Sequence, residues 1–164
     1  MPGTVGYRRV QIALHWAIAV VIAANYLLGD DMGRALRTHL QGGEVGLFPA
    51  MMHVWLGLAV LVLVALRLGV RLILGVPEAP AGDPELLRRA GHLVHVALYV
   101  LMIAMPVFGV LAWYAGIGVA GDAHEIAANL IMLLAGLHAV AALFHHYVLG
   151  DGLMWRMLRA QSRH

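Results

Sequence analysis

The stretch His124-Glu-Ile-Ala-Ala-Asn-Leu-Ile-Met-Leu-Leu-Ala-Gly-Leu-His138-Ala-Val-Ala-Ala-Leu-Phe-His145-His146-Tyr-Val-Leu149 decides how this chain folds. It holds one carboxylate and no proline. As a single helix at 1.5 Å per residue it reaches about 39 Å, more than the roughly 30 Å of a hydrocarbon core. Histidine at that depth is costly unless it is paired or ligating. The fourteen-residue step from His124 to His138 returns at 100° per residue to nearly the same face, about 21 Å further along the axis. Two histidines on one face at two depths call for partners at two depths.

Three other stretches are also long and apolar enough to span a bilayer: approximately Val10–Leu28, Ala50–Ile73 and Gly91–Trp113. With His124–Leu149 they predict an all-α integral membrane protein, a four-helix up-and-down bundle forming one domain over residues 1–164. Composition agrees, because 62% hydrophobic residues and a mean hydropathy of +0.81 exceed what a soluble chain of this length can bury. The first span follows Arg8 and Arg9, yet it is too long for a signal-peptide core and no small-residue cleavage site follows, so it reads as a retained helix. Between spans two and three, Gly75-Val76-Pro77-Glu78-Ala79-Pro80 and Asp83-Pro84 carry the prolines that stop a helix.

The absence of cysteine excludes disulfides, iron–sulfur clusters, thiolate zinc sites and covalently attached haem. All eleven positive side chains are arginine and lie beside apolar runs, which argues against nucleic-acid binding. Arg8, Arg9, Arg67, Arg71, Arg88, Arg89, Arg156, Arg159 and Arg163 gather at the two termini and the middle connection, against Arg34 and Arg37 in the first connection and none in the third. Positive residues stay cytoplasmic, so both termini are expected inside.

With that topology His53 starts helix two from outside, level with His124, and His15 lies in the inner half of helix one, level with His138. Imidazoles from two sides at two depths suit two stacked b-type haems, each six-coordinate and fit for electron transfer. A zinc or copper site would need its ligands in one coordination sphere. Gly57, Ala135 and Gly136 near these histidines leave room for a flat macrocycle, or serve simple helix packing. At the inner end Arg67, Arg71, His92, His95, His145 and His146 form a polar cluster, with Arg67 fourteen residues after His53. The same residues also read as positive-inside flanking and interfacial snorkelling. His95 faces Tyr99 at one helical turn, and a simple interhelical hydrogen bond would explain both residues. Met32, Met51, Met52, Met102 and Met105 read as packing.

The strings Arg9-Val-Gln-Ile-Ala-Leu-His15-Trp16, Met52-His53-Val54, Gly91-His92-Leu-Val-His95 leading to Met105-Pro106, and His124-Glu125 through Gly136-Leu137-His138 to His145-His146-Tyr147 together resemble the bacterial cytochrome b561 family, over nearly the whole chain. The resemblance implies a di-haem protein of the bacterial inner membrane, carrying two haem b groups on His15, His138, His53 and His124 and exchanging electrons with quinone. In the superoxide oxidase type, superoxide is oxidised outside and ubiquinone reduced. Arg67, His95 and His145 are the candidates for quinone binding or proton relay. One departure stands out: a short Gly-rich turn, Ala115 to Asp122, replaces the long outer segment expected between helices three and four of that type. Outer charges, Arg34 and Arg37 against Asp30, Asp31, Glu44, Asp122 and Glu125, show no evident steering of an anion. The alternative is a non-catalytic cytochrome b subunit linking a partner redox protein to the quinone pool.

Overall fold

The computed structural model describes residues 6–77 and 85–160. Glu78, Ala79, Pro80, Asp83, Pro84 and Arg163 lie outside the described residues. The described elements are helices joined by short connections: α1 (Arg9–Leu28), α2 (Met32–Leu40), α3 (Leu47–Leu74), α4 (Glu85–Trp113), α5 (Gly118–Phe144), a π-helical turn (His145–Leu149) and α6 (Trp155–Leu158). Four of these, α1, α3, α4 and the α5–π unit, are long and apolar enough to cross a membrane. Among the described residues there is no strand.

Helix ends depart from the hydropathy reading where polar residues extend a helix past its apolar core. α4 starts at Glu85 rather than Gly91, because Glu85 accepts from both Arg88 and Arg89 across its first turn. α5 starts at Gly118, so the third connection shrinks to residues 114–117. α1 opens with Gln11 Oε1 accepting from the Arg8 backbone N–H at 2.9 Å. The Gln11 Nε2 donates 2.8 Å to the Gly75 carbonyl, tying the start of α1 to the end of α3. There Gly75 takes φ +70°, a left-handed value that favours glycine and ends α3. α2 is a short amphipathic helix that hydropathy does not reveal.

The long helices pair as two hairpins, α1 along α3 and α4 along α5, with α3 and α4 joining them more loosely. The backbone of α5 makes at most isolated close approaches to α1 and α3. Midway along the bundle Ile18, Val60, Val64, Met102 and Ile131 form a packed layer, with Val64 and Ile131 almost wholly enclosed. Elsewhere large apolar side chains face outward on every long helix, among them Val20, Leu72, Leu93 and Val140, as lipid contact requires. Pro106 lies inside α4, where its missing N–H removes one helical hydrogen bond without ending the helix.

Candidate functional site: two histidine levels

Ile131 lies seven residues from both His124 and His138, so the apolar layer separates two histidine levels on α5. At the level nearer α2, His53 of α3 faces His124 with ring centroids 5.8 Å apart and planes at 63°. At the other, His15 of α1 faces His138 at 6.1 Å and 74°. These are the two pairings read from the sequence. All four rings are partly buried. Both pairs cross the seam between the hairpins, where backbones stay apart. Each pair therefore presents two imidazoles, from opposite sides, to whatever occupies the space between.

The surroundings of the rings differ. His124 Nδ1 lies 2.9 Å from the Met105 carbonyl, which makes Nδ1 the protonated nitrogen and leaves the Nε2 lone pair free. His53 Nδ1 is buried against the Asn25 carbonyl, short of full hydrogen-bond geometry. Asn25 itself is buried on α1, and its Oδ1 has no partner. Open room remains beside the levels: a Cβ at Gly136 would meet nothing within 4 Å, and at Gly57 only Asn25 Nδ2 at 3.8 Å.

Arg67 shares the level of His138, and its charge lies within electrostatic reach of His15, His95 and His138. Its Nε donates 2.7 Å to the Tyr99 hydroxyl and its Nη1 3.4 Å to the Gln11 carbonyl. Around it Tyr7, Gln11, Arg71, Val76 and Tyr99 line a narrow cleft. Tyr99 makes its interhelical hydrogen bond with Arg67, whereas His95 turns along its own helix. Its Nδ1 donates 2.8 Å to the Gly91 carbonyl one turn back, and its ring meets His138 at 4.9 Å. Three histidines thus converge at this level.

His145 opens the π turn and hydrogen-bonds through Nδ1 to the Asp151 carboxylate, both side chains largely shielded. The other Asp151 oxygen accepts 2.8 Å from the Leu153 N–H. Burial pushes the Asp151 carboxyl up, but the His145 bond, the Leu153 N–H and the nearby Arg156 charge together hold it below its ordinary value. His146 packs on Trp155, while Arg159 covers the Trp155 ring at 4.3 Å. Sequence spacing gave no signal for Asp151, Asn25 or His39. His39 on α2 stacks on Trp113 at 4.4 Å, with Nε2 3.1 Å from the Trp113 carbonyl.

Among the described residues no group of three His, Asp or Glu side chains is placed to hold a metal ion by itself. A metal held at either level needs its remaining ligands from a group that brings them. Residues 6–160 match the family described as prokaryotic cytochrome b561. The chain is 46% identical over 159 residues to the cytochrome b562 of Cereibacter sphaeroides, covering 94% of this chain and 96% of that protein. It is 27% identical over 173 residues to the "Probable superoxide oxidase CybB" of Yersinia pestis, covering 93% and 95%. The cytochrome b561 homolog 1 of Escherichia coli is also 27% identical over 173 residues, covering 93% and 96%. A match spanning nearly the whole chain, together with four membrane-length helices and paired histidines, makes this protein a member of the prokaryotic cytochrome b561 family.

Proposed function

We propose that the chain is a di-haem b-type cytochrome that carries electrons across the bacterial inner membrane, oxidising superoxide on the α2 side and reducing ubiquinone at the opposite end. The observation that carries this reading is the common spacing of the two histidine pairs, 6.1 and 5.8 Å, at two depths. An imidazole nitrogen about 2.0 Å from a metal on each side sets two ring centroids about 6 Å apart. His95 and His138, at 4.9 Å, are too close to share a metal in that way. The seam between hairpins and the open space at Gly57 and Gly136 suit a flat macrocycle edge-on between helices. Haem b, which His15 with His138 and His53 with His124 would hold, would supply a reversible one-electron iron couple.

The chain's own groups divide the remaining work. The layer of Ile18, Val60, Val64, Met102 and Ile131 keeps water and protons from passing between the levels. Arg67, already fixed by Tyr99, can hold a quinone carbonyl, and His95 and the His145–Asp151 couple can supply protons at that end. In balance, two superoxide ions yield two oxygen molecules and two electrons, and ubiquinone takes up both electrons with two protons. The relative named a probable superoxide oxidase supports this donor at 27% identity.

A second reading, a carrier fed by a partner redox protein, is favoured by charge at the α2 end. The groove there is lined by Asp31, Arg34 and Glu44, and Arg34 is tied to Asp31 at 3.0 Å, so an anion finds little attraction. Stopped-flow mixing separates the two. A superoxide oxidase is reduced by superoxide and reoxidised by a soluble ubiquinone analogue; quinone reoxidation with negligible superoxide reduction identifies the partner-fed carrier. Failure of both reactions removes the quinone reading. Replacing Arg67 or His145 should slow reoxidation without bleaching either haem.

A further inference from the structure

At the level nearer α2, each histidine lies against a main-chain carbonyl of a neighbouring helix, and four places beyond each carbonyl stands a glycine. His124 meets the Met105 carbonyl on α4 and Gly109 follows; His53 meets the Asn25 carbonyl on α1 and Gly29 follows. The arrangement has a mechanical reason. A helical carbonyl points toward residue i+4, whose Cα–Cβ bond tilts back over that carbonyl. Without a Cβ at i+4, the carbonyl is open to a donor from outside the helix.

The dimensions agree. A Cβ at Gly109 would lie 3.4 Å from both Cε1 and Nδ1 of His124. At Gly29 it would lie 3.0 Å from the Asn25 carbonyl oxygen and 3.2 Å from His53 Nδ1. Gly29 takes φ −89° and ψ 0°, values open to any residue, so what the position needs is the missing Cβ rather than backbone freedom. The Gly29 N–H turns to the Tyr26 carbonyl at 3.2 Å, which leaves the Asn25 carbonyl without its ordinary helical donor. The other level is built differently. Among the described residues His15 and His138 make no hydrogen bond, and the Arg67 charge lies near both.

We propose that Gly29 and Gly109 are positioning residues that open the Asn25 and Met105 carbonyls to His53 and His124, and that this gives their level the lower midpoint potential of the two. The proposal rests on the haem reading above. A carbonyl beside Nδ1, accepting its hydrogen bond at His124 and lying close without full hydrogen-bond geometry at His53, makes the imidazole a stronger donor and favours oxidised iron. A positive charge near the His15–His138 level favours reduced iron there. The two effects slope in one direction, from the α2 end toward Arg67.

Redox titration of single-haem variants followed at the α band tests this. The haem left in His15→Ala should titrate at a lower potential than the haem left in His53→Ala; the reverse order would overturn the proposal, whatever the glycine variants do. Within the His15→Ala background, Gly109→Ala and Gly29→Ala should each raise the potential with the haem retained. Gly69→Ala on α3, whose Cβ meets nothing within 4 Å, is the control and should not shift it. Unmoved potentials in both glycine variants, or an equal shift in the control, overturn the notch. An unaltered chain with no α band on reduction overturns the haem reading as well, whereas normal haem content with unshifted potentials overturns only this inference.

Discussion

His138 has two histidine neighbours, and geometry chooses between them. On the haem reading proposed above, His15 stands at the separation that two imidazoles on one metal require, while His95 is nearer and already committed to the Gly91 carbonyl. His15→Ala or His138→Ala should therefore lower the haem count by pyridine haemochrome from two to one, and His95→Ala should leave it at two; loss of a haem from His95→Ala alone would reassign the ligand. His53→Ala and His124→Ala should each remove the other haem. The pairs were legible in the sequence because fourteen residues close on nearly four helical turns. The carbonyls behind the rings were not, since only tertiary packing decides which face of α4 or α1 meets a histidine. Asp151 is a second such case, six residues past His145 across a π turn. Its carboxyl titrates below its ordinary value, so the stability it confers is complete above about pH 4 and is lost as pH falls through that lowered value. Asp151→Asn should lower the stability of the C-terminal segment by about 1–2 kcal/mol and flatten its acid dependence in hydrogen exchange; an unchanged profile would show that the couple holds nothing.

At the scale of elements, α2 is the part that hydropathy could not find. Its nine residues carry Arg34 and Arg37 on one side and Leu36, His39 and Leu40 on the other, a pattern too short and too polar to register as a span. The structure seats it on the α4–α5 hairpin. Leu36 fits where Gly121 lacks a side chain, since a Cβ there would lie 2.5 Å from Leu36 Cδ2. His39 stacks on Trp113 at the end of α4. Gly121→Val must push the tip of Leu36 aside, and overpacking of this kind costs about 1–3 kcal/mol. Amide exchange across α2 should then quicken by about tenfold or more while α3 and α5 keep their protection. Exchange that is unchanged in α2 would mean Leu36 is not its anchor. The span boundaries missed by a few residues for a related reason: apolar counting stops at the edge of lipid, but the Glu85–Arg88–Arg89 turn stays helical beyond it.

For the whole molecule, the placement of charge and the placement of the two levels bear on one question, namely which end faces the cytoplasm. Among the described residues the packed middle layer and the Tyr26–Asn129 bond, 2.7 Å, hold α1 beside α5, and α3 meets α4 through Arg67 and Tyr99, so a group bound between the histidine pairs would add to a thin seam. Haem-free protein should accordingly lose helical protection at the seam first, because a group that binds only the folded state stabilises it by mass action. Orientation is set earlier, during insertion, by arginines near the span ends. Eight of the described arginines lie at the end where α1 and α4 start and α3 finishes, and two at the α2 end, with Arg67 and Arg71 still inside the last turns of α3. The strength of that bias predicts both termini in the cytoplasm. A fluorescent reporter fused after residue 160 should be active in cells, and an alkaline phosphatase inserted in the connection at residues 114–117 should be active as well, since each needs the opposite side of the membrane. The reverse pattern would place the His53–His124 level on the cytoplasmic side. Superoxide generated outside the cell would then meet the Arg67 end, and the proposed direction of electron flow would have to be abandoned even if both haems were present.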